Sequence, residues 1–252
     1  MSNYQRNPRM VGCILAVLLI GAVAVGFLTY YGTGYFNWNS NQATTDFSFE
    51  ASVGATNETV TLNVNVAAGS FSVVFVDNES LLYEIDMQVQ NSTLATEGVP
   101  TVSFMSNTIG VEYPSAAVNI TLGSGVNYTI SMHTQSGSVN IVFGAGAHIG
   151  DLTASVTSGS IDIVMTDDTV LLDSPTFDLQ TTTGGISINA DLPSGVGGSI
   201  ECATSFGSAS ITAAGWTEIT PNHYETTDYD TASQTLTVVA VTSLGGISAV
   251  LT

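Results

Sequence analysis

Carboxylates are the side chains of this chain with the most chemistry to offer. Asp162, Asp167, Asp168 and Asp173 fall in one short stretch, and Glu225, Asp228 and Asp230 share the loop Glu-Thr-Thr-Asp-Tyr-Asp. Oxygen ligands grouped without a basic neighbour are what calcium takes, so both groups are candidate Ca²⁺ sites. Neither matches the spacing of an established calcium loop, and the plainer reading is solvated turn residues. No other cofactor is expected. His133, His148 and His223 are far apart, without zinc-ligand spacing. Gly195-Val196-Gly197-Gly198 lacks the third glycine in register and the lysine of a phosphate cradle. No G-x-S-x-G elbow occurs. Cys13 and Cys202 are the two cysteines. Cys13 opens an apolar run, and Cys202 sits in an apolar column, where it reads as a small buried hydrophobe.

No set of these residues converges on a reaction, so a non-enzymatic role is expected. A polysaccharide-active enzyme is the less favoured alternative. Lyase chemistry wants a basic residue, and none follows Arg9. Hydrolysis wants paired carboxylates, and nothing singles out Asp162 and its neighbours for that task.

Charge narrows the partners. The 252 residues include 21 Asp plus Glu and 2 Lys plus Arg, for a formal net charge of −19. Both cations, Arg6 and Arg9, lie at the N-terminus. The rest of the chain cannot neutralise phosphates, which excludes nucleic acid as a partner. Its field attracts divalent ions and repels anionic surfaces. Charged residues are nonetheless 9% of the chain, so the surface is mainly Ser, Thr and Asn. Glycosylation sequons occur at Asn57, Asn78, Asn91, Asn119 and Asn127. Chance supplies a similar number in a chain so rich in Ser and Thr. Their grouping in the membrane-proximal half fits a glycosylated stalk.

Residues 10–31 form an uncharged apolar run, long enough for the ~20-residue helix that a bilayer core requires. Arg6 and Arg9 precede it, which puts residues 1–9 in the cytoplasm and the remainder outside. Tyr30, Tyr31, Tyr35, Phe36 and Trp38 supply an aromatic belt. An uncleaved single-pass anchor is expected, with a cleaved signal peptide as the alternative. Residues 32–46 read as a linker, and residues 47–252 as the extracellular domain.

That domain repeats itself. Val156–Met165 reads VTSGSIDIVM and Thr181–Ala190 reads TTTGGISINA. Aligned on their small-residue turns, seven copies centre on Gly69, Ile109 (with its glycine one place on, at Gly110), Gly137, Gly159, Gly184, Gly207 and Gly245. Seven places before the turn stand Leu62, Val102, Ile130, Leu152, Phe177, Ile200 and Val238, all apolar. Two places after stand Phe71, Val111, Val139, Ile161, Ile186, Ala209 and Ile247, again apolar. The columns between are mostly polar. Period-2 alternation on both sides of a turn predicts two half-buried strands per copy. Successive turns are 22 to 40 residues apart, the spacing of a solenoid or array.

Two geometries fit this pattern. In a β-solenoid the turn is a corner and equivalent strands stack in parallel. In an antiparallel meander or sandwich it is a hairpin, pairing Val156 with Ile161. The solenoid is favoured because recurring units stack on their neighbours. Residues 47–66 are expected to cap one end, and the last copy, ending at Thr252, to leave the other edge open.

The recurring T-x-S-G-x-I-x-I unit, at Val156–Ile163 and Thr181–Ile188, and the ending TSLGGISAVLT resemble the β-strand-repeat adhesin families of bacterial and archaeal envelopes, in the toast-rack group of domains of unknown function. The resemblance covers roughly residues 47–252. It implies a right-handed, single-chain β-helix-like stack beside a membrane segment, and carries no catalytic motif to transfer. The expectation is an all-β, membrane-anchored cell-surface protein with a structural, adhesive or envelope-sensing role. Its partners would be the membrane and a surface protein or glycan. A filament or coat subunit, self-associating through solenoid edges, is the alternative.

Overall fold

A computed structural model of the chain describes residues 43–54 and 58–252. The expected anchor at residues 10–31, Cys13 and the sequon at Asn57 lie outside them. Among the described residues no helix is long and apolar enough to cross a membrane.

The described chain is all-β, an open sheet system with one short helix. Six copies pair through β2 (Val60–Phe75), β7 (Tyr128–Phe143), β8 (His148–Met165), β10 and β11 (Thr176–Thr183, Ile186–Ala190), β12 and β13 (Val196–Phe206, Ala209–Ala213), and β16 and β17 (Gln234–Leu244, Ile247–Leu251). A seventh is made of β5 and β6 (Thr108–Ser115, Ala117–Leu122). Each copy is one rung with two arms meeting at a corner. Neighbouring rungs pair in parallel: Gly69 aligns with Gly137, and Gly137 with Gly159. Val156 pairs with Thr134 and Thr181, and Ile161 with Val139 and Ile186. The hairpin pairing of Val156 with Ile161 is therefore not formed.

Glycine is required at the corners because the rungs touch there through backbone. Gly137 has φ +142° and Gly159 φ +146°, a region that side chains rarely adopt. A Cβ on Gly159 would lie 1.6 Å from the Gly137 carbonyl oxygen, and one on Gly137 1.6 Å from that of Gly69. The same contact recurs from Gly184 to Gly159, from Gly245 to Gly184 and from Gly207 to Gly245. Threonines of the inward columns fasten this ladder. Thr181 and Thr242 hydroxyls donate to the Gly184 carbonyl at 3.4 and 3.1 Å.

The ladder corrects one turn assignment. The second copy turns at Ala116, not at Ile109 or Gly110. Leu62 pairs with Ile109, Val64 with Val111 and Phe71 with Val118, so Ala116 is the residue level with Gly69. Ile109, Val111 and Tyr113 are inward residues of the first arm, and each is buried. Their alternation fits either arm, which is why the sequence allowed a misplaced corner. Ala116 tolerates its methyl because this rung is terminal. Gly69 rests on the Ala116 carbonyl, and no described rung lies beneath Ala116.

Spatial order also departs from chain order. The corners run Ala116, Gly69, Gly137, Gly159, Gly184, Gly245, Gly207. The last copy is an interior rung: β16 lies between β10 and β12, and β17 between β11 and β13. The open edge is thus β13, not the strand ending at Thr252. Residues 60–66 likewise belong to an interior rung rather than to a cap. At that end β3 (Leu81–Gln90) covers β6 in antiparallel fashion and β4 (Val102–Met105) covers β5. Helix α1 (Asn91–Glu97) follows β3. Strand β1 (Thr44–Ser52) then pairs with β3, beginning inside the segment read as linker. Between β13 and β16 the chain makes an antiparallel pair, β14 (Trp216–Thr220) and β15 (His223–Thr226). Between the arms Phe75, Phe143 and Phe177 stack at 5.7 and 5.4 Å between ring centroids. Such contacts add about 0.5–1.5 kcal/mol beyond area burial.

Candidate functional site

The rungs dispose outward side chains in rows, with neighbours in a row about 4.8 Å apart. In the true register one row places Glu112 beside Asn65, and Asn65 beside His133. The neighbouring row places Gly110 beside Asn63, with Ser103 of β4 opposite Gly110. Together with Thr101 and Val111 these residues line an open groove of about 530 Å³. A Cβ on Gly110 would lie 2.6 Å from Ser103 Oγ, so a side chain there would displace that hydroxyl. Ser103 Oγ donates to the Gly110 carbonyl at 3.4 Å.

Amides, hydroxyls, an imidazole and one carboxylate can donate and accept hydrogen bonds, which suits a polyhydroxyl ligand. The lining holds no Lys or Arg, so an anionic ligand gains no counter-charge. A glycosidase needs two carboxylates about 5–9.5 Å apart, and Glu112 is the only one in the lining. Sequence reasoning missed this groove. Of its lining residues it names His133 for its chemistry and Gly110 and Val111 only as parts of the repeat, and the row Glu112–Asn65–His133 emerges only once the second corner is set at Ala116.

One constellation imitates a catalytic triad. Ser199 Oγ lies 3.2 Å from His223 Nε2, and Glu225 Oε1 lies 3.1 Å from the same nitrogen. A triad needs the nucleophile on one ring nitrogen and the acid on the other. Here a proton on Nε2 is drawn to the carboxylate, leaving no lone pair there to take the serine proton. Ser199 is also buried. The contacts instead fasten β15 to the outer edge of β12, where Glu225 aligns with Ser199.

The predicted calcium groups are dispersed. Asp162 lies on the β8 arm and bonds the Ser160 hydroxyl at 3.1 Å. Asp167 and Asp168 lie in the turn beyond that strand, and Asp173 follows β9 (Val170–Leu171) with φ +48°. Glu225 faces His223, while Asp228 uses its backbone carbonyl to cap the turn to Ala232. Asp230 lies in the same loop. Among the described residues no three His, Cys, Asp or Glu side chains group closely enough to hold a metal.

Cys202 is buried within the core, and burial, aided by the Glu201 carboxylate, pushes its thiol up to about 11. His148 starts β8, apart from His133 and His223. Asn78, Asn91 and Asn119 are exposed and Asn127 is half-buried. The Asn78 side-chain oxygen accepts from the Ser80 amide and hydroxyl, closing its sequon into a turn.

No protein-family model matches the chain, and no curated protein matches it in sequence. In fold it is similar to a "putative cell adhesion protein" from Clostridium sporogenes, with TM-score 0.63 and 14% identity over 83% of this chain and 100% of that one. Structures of a "putative adhesin" from Bacteroides fragilis (9% identity, 82% and 97% of the two chains, TM-score 0.30) and of another from Parabacteroides merdae (8%, 83% and 97%, TM-score 0.21) share less of the geometry. The first of these three carries a cell-adhesion name, as the sequence resemblance implies, and what this chain shares with it is the fold.

Proposed function

We infer that this chain is a membrane-anchored β-solenoid of the cell surface with an adhesive or structural, non-enzymatic role. One observation carries the reading. A corner ladder of backbone-packed rungs holds outward rows of Ser, Thr and Asn in fixed positions, and the rows near Asn63 and Asn65 curve into a cation-free groove. Such a surface offers many hydrogen bonds and no activated nucleophile or acid pair. It suits contact with neutral hydroxylated groups, such as those of a surface glycan. The anchor follows from the apolar run at residues 10–31 and the basic residues before it. The fold neighbour named for cell adhesion is in keeping with this role.

The test is an adhesion assay on cells that express the full chain or its Asn65→Ala, His133→Ala double variant. These exposed side chains lie outside the core, so the variant should reach the surface in equal amount. Adhesion reduced several-fold in the variant is expected. Equal adhesion at equal surface level would remove the groove from the account. A subunit of a larger assembly is the second reading, favoured by the uncovered edge of β13.

A further inference from the structure

We propose that β13 is the pairing edge of a two-fold symmetric dimer, and that its occupant is a second copy of this chain. The proposal depends on the rung geometry and not on the adhesive role.

The two ends of the stack are finished differently. At the Ala116 end, β3 and β4 take up the outer hydrogen-bonding edges of β6 and β5. Two strands are left outermost there: β1, which carries Asp46 and Glu50, the kind of charge that discourages edge pairing, and β4, only four residues long and paired, among the described residues, with β5 alone. At the Gly207 end, β15 covers β12 only at Ser199–Glu201. Among the described residues, β13 pairs with β17 alone.

This edge has no guard. Residues 203–215 contain no charged residue and no proline. The inward side chains of β13 are half-buried, whereas their neighbours in β17 are buried. The core is therefore left uncovered along this strand. Phe206, 62% exposed, sits beside Leu244, 40% exposed, at the adjoining corner.

The strand is also complementary to itself. Ala209-Ser210-Ile211-Thr212-Ala213, paired antiparallel about its centre, sets Ile211 against Ile211 of the second copy. Ala209 then meets Ala213, and Ser210 meets Thr212. Apolar side chains fall on one face and hydroxyls on the other, as the pleat requires. Head-to-tail growth finds only poorer edges at the Ala116 end, where β1 is acidic and β4 is four residues long. Pairing through one shared edge closes at two copies. Each copy carries a net charge of −19, so the dimer should tighten as salt screens the repulsion.

Directly opposed antiparallel residues have Cα atoms ~4.5–5.5 Å apart, within the ~4.4–6.8 Å range of a disulfide. Full-length chain in detergent, with Cys13→Ser, would carry Ile211→Cys and be treated with a mild oxidant. A disulfide-linked dimer should form at least tenfold faster than from Asn189→Cys, an exposed site on an interior rung. Ser210→Cys and Thr212→Cys chains should cross-link on mixing more readily than either alone. Separately, Ser210→Lys with Thr212→Lys places charges on outward positions of the edge. It should weaken dimerisation at least tenfold without changing Tm at concentrations where the parent is monomeric. Ile211→Cys cross-linking no faster than Asn189→Cys, or a lysine variant that dimerises like its parent, would overturn the proposal.

Discussion

Replacing Gly159 by alanine tests the corner ladder at its centre. The new methyl would lie 1.6 Å from the Gly137 carbonyl oxygen, against about 3.4 Å for an ordinary contact. The obstacle is backbone of an adjacent rung, so no side-chain rotation relieves it. Either the rungs separate and lose hydrogen bonds, or φ leaves +146° and the arm swings away. A side chain held at such a φ costs ~1–2 kcal/mol, and overpacking costs ~1–3 kcal/mol. The sum, about 2–5 kcal/mol, is a large share of the ~5–15 kcal/mol that holds a domain folded. Gly215 isolates the first contribution, since it has φ +86° and a methyl there would meet nothing within 4 Å. Gly215→Ala should cost about 1 kcal/mol. Gly144, whose nearest neighbour would be 3.6 Å away, should tolerate alanine almost freely. Urea midpoints of the three variants read the differences, given unchanged slopes. Equal destabilisation by Gly159→Ala and Gly215→Ala would refute backbone contact as the reason for glycine.

Other expectations follow from the core and the charges. Phe143→Ala removes a fully buried ring between Phe75 and Phe177 and should cost about 3–5 kcal/mol in urea unfolding; a loss below about 1 kcal/mol would contradict the packing. Cys202 should react slowly with a thiol reagent at pH 8 and quickly in denaturant, because burial raises its folded value to about 11; rapid labelling of the folded chain would count against burial. The same shift fixes a sign. The unfolded thiol loses its proton first, so this group's contribution to stability holds below about pH 9 and falls as pH rises toward 11. Tyr128, raised by burial while its hydroxyl donates to the Leu82 carbonyl, acts in the same direction. Calcium in millimolar excess should leave Tm unchanged within about 1 °C, since neither acidic group converges; a rise abolished by Asp162→Asn or Asp228→Asn would restore a calcium site.

Much of the architecture was legible because period-2 alternation survives sequence drift. Leu62, Ile130, Leu152, Phe177, Ile200 and Val238 mark one buried column at any level of identity. Corner glycines were legible for a different reason: the adjacent backbone leaves no room for a side chain. The same logic explains the error at Ile109. A terminal rung has no neighbour beneath its corner, so Ala116 replaced the glycine that would have signalled the turn. Rung order was hidden because the alternation within Gln234–Leu251 is the same whether that rung lies inside or at the end. The groove was hidden in turn, since Glu112 and His133 stand near each other only through Asn65, which pairs with both from a distant part of the sequence. Charge depletion, by contrast, needed no structure at all.

Protease shaving of intact cells, with a tag at each end of the chain, tests the surface assignment most directly. No Lys or Arg follows Arg9, so trypsin should leave the β domain and its C-terminal tag in place, while a protease of broad specificity should remove that tag from outside. A C-terminal tag that stays protected from both enzymes until the cells are opened would contradict the account.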